Sequence, residues 1–417
     1  MTRLRAPTVY YGLELALSAP SYVFTAVFLV RVLHMSPLQL ILMGTVMEAA
    51  VFAGEVPTSV VADTYSRRAS IIVSLFIQGA AIVLVGLAPS PAVAIVAWGT
   101  WGFGWTFMSG AWEAWITDEV GAENVGPVFL RGTRVSFVGA FLGLGLQGAV
   151  ALYSLRAAVV SGGALTIACG VAAILVMPET GFRRRPRAER ASALRELRST
   201  AVTGARFVRA QPLLLLMIAI TFFQGMSTET VDRLWEAHFI RDIGLPSLWS
   251  LDPVVWFALF AIPALPIGYF AAGRLAKRFE QADLGRLART LMLLTAVMMA
   301  AQLAFGVATA IAFAYVSLLV YRVARSMLYP VYMTWLNQQI IESSVRATVI
   351  SITNQSDAVG QALGGPGLGV IGNVWGIRAA LCAGAAAIAP ALGLYGRALR
   401  HGGQEPELGE LPRASPV

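Results

Sequence analysis

The sequence is poor in charge and in the residues that build catalytic or metal centres. Only 13% of its 417 residues are charged, about half the share found in a soluble domain. Its two cysteines, Cys169 and Cys382, lie in separate apolar runs, which argues against a disulfide framework or a thiolate metal site. The three histidines, His34, His238 and His401, are too scattered to form a ligand cluster. His238 is the one histidine inside an apolar run, and it has no nucleophile or evident catalytic partner near it, so no enzyme is expected. A Walker-type phosphate loop is missing, which excludes ATP-driven transport by this chain alone. No filter sequence repeats as a channel would require.

What is abundant is apolar sequence, at 57% of the residues. Much of it falls in uncharged runs of about 20 residues, the length of a helix crossing a hydrocarbon core. Twelve such spans are expected, at 9–33, 38–62, 70–88, 92–116, 129–153, 156–177, 212–240, 252–275, 286–308, 310–336, 347–371 and 377–396. The expected fold is therefore an all-α integral membrane protein. Residues 1–19 look superficially like a secretory signal, but Glu14 interrupts the apolar stretch and hydrophobicity continues to Val30, so a retained first helix is expected.

The net charge of +8 follows the membrane rather than a nucleic acid. Of the 31 basic residues, all but Lys277 are arginine, and 24 fall in alternate connections with both chain ends, against four on the other side. By the positive-inside rule both termini are cytoplasmic in a multi-pass plasma (inner) membrane protein. The longest polar interruption, 178–211, carries Arg183–Arg185, Arg187 and Arg190 and divides the spans six and six. Its second part reads as an amphipathic helix, with Leu194, Leu197, Ala201, Ala205 and Val208 on one face, suited to the anionic inner leaflet. The expected organisation is a six-helix bundle at 1–177, this basic linker at 178–211, a second bundle at 212–400 and a tail at 401–417. A shift of 220 residues matches span to span and gives six identities in 36 positions, Trp115/Trp335 and Gly145/Gly365 among them. Two related halves with a midplane site between them are a transporter architecture.

The connection between spans two and three reads Ser59-Val-Val-Ala-Asp63-Thr-Tyr-Ser66-Arg67-Arg68. It resembles the signature loop of the major facilitator superfamily, Gly-x-x-x-Asp-x-x-Gly-Arg-Arg/Lys, with serines at the two glycine positions. A degenerate copy, Gly273-Arg274-Leu-Ala-Lys277-Arg278, follows span eight. The resemblance implies twelve helices in two pseudo-symmetric halves and a cytoplasmic gate built on Asp63 and Arg67. Arg68 is a further gate candidate, for which ordinary charge anchoring is the alternative, and the expected network extends to Glu55, Asp118, Arg131 and Arg134. Gly364-Gly365-Pro366-x-x-Gly369 looks like the Gly-Pro motif of proton-coupled exporters, displaced from span five to span eleven; close helix packing explains such glycines equally. Arg322-x-x-Arg325 likewise resembles an exporter arginine motif, displaced from span four to span ten.

Ionisable groups at bilayer depth are costly and mark function by default. Glu48 and Asp357 lie about 15 Å into their spans, and Arg322 about 18 Å. If spans two, ten and eleven meet, as the resemblance implies, Arg322 neutralises Asp357 or Glu48, and Arg325 sits one turn away. Glu48 is the first candidate for proton coupling and Asp357 the second, followed by Glu229 and Asp232 in span seven; a permanent ion pair with Arg322 is the alternative. Glu113 is a further cavity or ion-pair candidate. Trp98, Trp101, Trp105 and Trp112, with Trp115, follow helical spacing in span four. That face suits planar or hydrophobic molecules, and suits lipid equally well. The expected activity is proton-coupled efflux of hydrophobic or amphiphilic small molecules such as drugs, by alternating access. Proton-coupled import of a nutrient or metabolite is the alternative. No cofactor beyond the proton gradient, no nucleic acid and a monomer are expected.

Overall fold

The computed structural model describes residues 5–20, 22–182, 206–247, 252–260, 283–339 and 343–401, and all the regular structure in them is helical. Most of the linker, the larger part of the eighth expected span (261–275) and the degenerate motif at 273–278 lie outside the described residues.

The helices begin and end where the local sequence requires it. α1 (Ala6–Leu17) and α2 (Tyr22–Arg31) divide the first expected span in two. Pro20 sits in the gap, where it has no N–H to continue a helix. α3 (Pro37–Thr64) opens on a capping box: Ser36 Oγ accepts from the Gln39 N–H while Gln39 Oε1 accepts from the Ser36 N–H. α4 (Arg67–Leu87) is capped by Ser66. The fourth expected span is also broken, into α5 (Pro91–Thr106) and α6 (Ala111–Val120). Gly110 stands between them at φ +73°, a backbone conformation that a side chain would strain. α7 (Val125–Tyr153) and α8 (Leu155–Val176) complete the first half.

In the second half α9 (Pro212–His238) runs into a π turn at Phe239–Ile243. α10 (Leu284–Val307) is capped by Asp283, and α11 (Ile311–Gln339) and α12 (Ser343–Trp375) each carry an internal proline, Pro330 and Pro366. α13 (Ile377–Ala387) and α14 (Ala389–His401) follow. Among the described residues, eight helical segments are long and apolar enough to cross a membrane. The rest of the twelve-span pattern consists of the two broken spans, the span around 252–260 and the polar α12.

Packing follows the two halves. α4 lies against α8 and α5, α3 against α5, and α1 against α7; in the second half α9 packs on α12, α13 and α14, and α10 on α11 and α13. The halves meet chiefly where α3 runs along α12, with α9 touching α2 and α3. Glycines bring some of these backbones together: a Cβ on Gly225 would overlap the Asp357 carbonyl of α12, and one on Gly360 the Phe222 carbonyl of α9.

Polar ties join the halves at the end opposite the basic connections. Arg31 grips Asp252 with two hydrogen bonds of 2.5 and 3.2 Å. Arg241 donates to the Met35 carbonyl at 2.8 Å and the Val30 carbonyl at 3.4 Å. The Leu38 N–H donates to Asn373 Oδ1 at 3.0 Å. Asp252 lies in the loop ahead of the helical turn at 255–260. Partial burial opposes its charge, yet the Arg31 hydrogen bond and the Val254 N–H hold its carboxyl below the usual aspartate value.

Candidate functional site

Glu48 and Glu55 stand two turns apart on one face of α3, and both open into a cavity of about 380 Å³ between α3 and α12. Phe52 lies between them, and Ser351, Asn354 and Gln355 form the facing wall. The cavity sits on the side of Glu48 that leads toward the basic connections, because α3 runs from there to Thr64 and α12 begins there at Ser343.

Behind Glu48 lies a cluster of charges carried by α9 and α11. Glu229 is fully buried and accepts from Arg233 Nε at 3.0 Å, one turn along α9. Its second oxygen, Oε2, is buried with no hydrogen-bond partner. α3 makes room for this pair with Gly44: a Cβ there would overlap Glu229 Oε1 and the Arg233 guanidinium. Glu48 feels the charges of Arg233, Glu229, Asp357 and Asp232. Asp232 pairs with Arg325 of α11 at 2.5 Å.

The expected pairing of Arg322 is corrected. Its guanidinium stacks on the Trp235 ring, 4.4 Å from the centroid, an attraction between cation and ring quadrupole. It makes no ion pair with Asp357 or Glu48 among the described residues, and the acid whose charge it chiefly feels is Glu236. Asp357 instead accepts from Gln361 Nε2 at 2.7 Å on its own helix. The reason is rotational: α11 presents Arg325 to Asp232 and turns Arg322 toward Trp235, so the two arginines, though one turn apart, serve different partners.

The aromatic stripe is divided. Trp98, Trp101 and Trp105 stack in sequence along α5, with centroids 5.2 and 6.0 Å apart. The break at Phe107–Gly110 moves Trp112 and Trp115 into a separate core around Tyr10. There Trp112 Nε1 donates to Glu14 Oε1 at 2.8 Å, and Trp115 Nε1 donates to the Pro178 carbonyl at 2.7 Å. The five tryptophans therefore do not share one continuous helical face. Glu113 is exposed on α6 and forms no ion pair among the described residues.

The family model described as the Major Facilitator Superfamily matches residues 13–365. The chain belongs to that superfamily. A relative in Bacillus subtilis (strain 168), the uncharacterized MFS-type transporter YxaM, is 24% identical over 350 residues, which is 82% of either chain. Among solved structures, the nucleoside transporter NupG superposes with a TM-score of 0.74 at 9% identity, covering 95% of this chain and 98% of its own. A bacterial homologue of the human lysosomal transporter Spinster, inward-facing and unoccupied, gives 0.72 at 16% identity, with 95% and 96% covered. These structural likenesses carry the fold. As a major facilitator, the chain is a multi-pass membrane transporter.

The signature loop of this major facilitator holds its turn with serine at the second glycine position. Ser66 has φ −175°, extended backbone open to any residue, so serine costs nothing there. Its hydroxyl accepts from the Ala69 N–H, and Glu179 receives both that hydroxyl and the Arg68 N–H. Arg67 bonds to Asp118 and to the Ala114 carbonyl of α6, while Asp63 stands 3.8 Å away and largely exposed. Arg68 reaches the Ile174 carbonyl of α8. Arg131 and Arg134 are exposed on α7 and form no ion pair among the described residues, and Glu55 belongs to the cavity, so the expected network contracts to Arg67, Asp63 and Asp118. The glycines of α12 pack closely: Gly365 lies against Ile41 and Glu229, and Gly369 against Leu38.

Sequence reasoning missed the polar wall of the cavity and the role of Gly44. The signal for the wall was present in α12, where Ser351 and Gln355 recur one turn apart in a segment too polar to be idle in a membrane.

Proposed function

We propose that this transporter couples proton entry to the export of hydrophobic or amphiphilic small molecules by alternating access. It would lie in the plasma (inner) membrane with its basic end in the cytoplasm and the linker on the anionic leaflet. The two halves, 1–177 and 212–400, would rock about the seam between α3 and α12.

One observation carries the reading: Glu48, in a cavity at that seam, belongs to the first half and stands one turn along α3 from Gly44, against which Arg233 of the second half packs. A carboxylate beside a guanidinium stays ionised, and one left in apolar surroundings takes up a proton. Relative movement of the halves would change which condition applies to Glu48, and so link protonation to conformation. Phe52 in the cavity and the exposed Trp105 of the tryptophan stack would offer apolar surface to a substrate, and Asp63, Arg67 and Asp118 would brace the cytoplasmic gate.

The test is accumulation of fluorescent hydrophobic cations and antibiotics in cells expressing the chain, with and without a protonophore, beside Glu48→Gln. Lowered accumulation that both treatments erase is the expected result. Proton-driven efflux that persists in Glu48→Gln removes the coupling role from Glu48. A second reading, proton-coupled import of a polar metabolite, draws support from the amide and hydroxyl wall of Ser351, Asn354 and Gln355. Unchanged accumulation across the panel, together with protonophore-sensitive uptake of labelled nucleosides or other polar metabolites, would favour it.

A further inference from the structure

His238 is fully buried at the end of α9, and both of its ring nitrogens face hydrogen-bond acceptors. Nδ1 lies 2.7 Å from Asp242 Oδ2, and Nε2 lies 3.0 Å from the carbonyl oxygen of Phe305. A backbone carbonyl only accepts, so Nε2 carries hydrogen. A neutral imidazole would then turn the bare lone pair of Nδ1 toward a carboxylate oxygen, two acceptors in contact with no hydrogen between them. We infer that His238 and Asp242 form a proton-binding site, occupied as an imidazolium–carboxylate pair, that holds closed the end of the molecule opposite the basic connections.

The surroundings favour the cation. Phe305 is in the last turn of α10, and His238 is in the last turn of α9. The C-terminal end of α10, with its partial negative charge, therefore meets the ring, while α9 continues past His238 into the π turn. The Phe305 ring meets the imidazole edge to face at 4.8 Å. The charged groups nearby are few. The π turn supplies Asp242 and Arg241, and α13 supplies Arg378, which donates to the Asp242 carbonyl at 3.2 Å. Glu236 lies two residues before His238 on α9, and Cys382 of α13 faces Gly306 next to Phe305. The ionisable residues of α10, Arg286 and Arg289, sit at its far end. Arg31 of α2 is committed to Asp252. His238 itself is sealed, but the Asp242 side chain keeps 24% of its surface exposed, so a proton reaches the pair through Asp242.

The connection to closure is direct. Asp242 and Arg241 are neighbours in the π turn, and Arg241 is the side chain that donates to the Met35 and Val30 carbonyls of the other half. With the proton bound, His238 ties that turn to α10 and fixes where Arg241 points. When the proton leaves, the bond to Asp242 is lost and the turn is free to rewind. A π turn holds more residues than an α turn, so rewinding rotates Arg241 off its two carbonyls. The site uses none of the residues around Glu48 and stands whether or not Glu48 carries the coupled proton.

The proton itself is observable. The chain has three histidines, so ¹⁵N-histidine labelling of the full-length protein, with His34→Gln and His401→Gln for assignment, isolates the His238 ring. The expected spectrum at neutral pH has both ring nitrogens protonated; a neutral tautomer with one N–H overturns the inference. The coupling to closure is read with spin labels at Val32→Cys and Trp375→Cys, both exposed and at that end, in a background of Cys169→Ala and Cys382→Ala. The expected result is one short distance near pH 6 and an added longer one near pH 9. In Asp242→Asn, an amide hydrogen meets the Nδ1 lone pair without any proton uptake, so the short distance should persist at both pH values. A wild-type distance independent of pH, or an Asp242→Asn variant that responds like the wild type, overturns it.

Discussion

Gly44 of α3 faces Glu229 of α9 across the boundary between the two halves, so closely that a methyl group on Gly44 would overlap Oε1 of the carboxylate and Nε of its partner Arg233. The ion pair and the bare backbone therefore form one fitted unit. Gly44→Ala should lower stability by about 1–3 kcal/mol through overpacking, read as a lower melting temperature in detergent, and should slow transport. An alanine variant as stable as the parent would mean that the two halves sit further apart in the membrane.

Glu229 and Arg233 should show strong non-additivity. Removing the arginine alone strands a buried carboxylate, with an expected loss of about 3–5 kcal/mol. Arg233→Leu combined with Glu229→Leu should lose much less than the sum of the single losses. A double-mutant cycle on the purified protein checks this.

Arg322 should couple to Trp235 and not to Asp357. A cycle of Arg322→Ala with Trp235→Leu is expected to give about 0.5–2 kcal/mol of interaction energy. The cycle with Asp357→Asn should be additive within about 0.5 kcal/mol.

At the signature loop, Asp118 should outweigh Asp63. Asp63 is 57% exposed and 3.8 Å from Arg67, so Asp63→Asn should change stability by about 0.5 kcal/mol or less. Asp118 shares Arg67 with the Ala114 carbonyl in a part-buried corner. Its replacement by asparagine should cost about 1 kcal/mol or more, and thermal melts of the two variants side by side decide the order.

Closure through Arg31 and Asp252 carries its own pH signature. The Asp252 carboxyl is held below its usual value of 3.8, so the pair stabilises the folded protein fully above that value. The stabilisation is lost as pH falls through the lower folded value. Between about pH 6 and 8 it should be constant, and Asp252→Asn should remove the acid-side loss. Melting temperatures followed from neutral pH down to about pH 2 would show it.

Much of this architecture was legible because membrane spans announce themselves by length and composition. The caps at Ser36 with Gln39 and at Ser66 mark two helix starts more sharply than the apolar runs do. The breaks within the first and fourth spans were not. An apolar run continues through Phe107 and Met108, and a single glycine at positive φ interrupts the helix without lowering hydropathy. At the site, the ionisable residues of the spans stand out in the sequence but their partners do not. Arg325 and Asp232 are 93 positions apart, and whether Arg325 or Arg322 meets an acid depends on how α11 is turned about its axis. Sequence spacing fixes which residues share a face, while only packing fixes which neighbour that face meets.

The polarity of α12 also bears on how the protein is made. With 33 residues, among them Ser351, Asn354, Gln355 and Asp357, α12 is absent from the helices apolar enough to cross a bilayer unaided. Left alone in lipid, each polar side chain would count against insertion. Its two main partners, α3 and α9, both precede it in the chain. By the time the ribosome delivers α12, the surfaces that cover its polar faces have been synthesised. The helix that lines the cavity is therefore a late guest in the membrane, admitted by the helices already there.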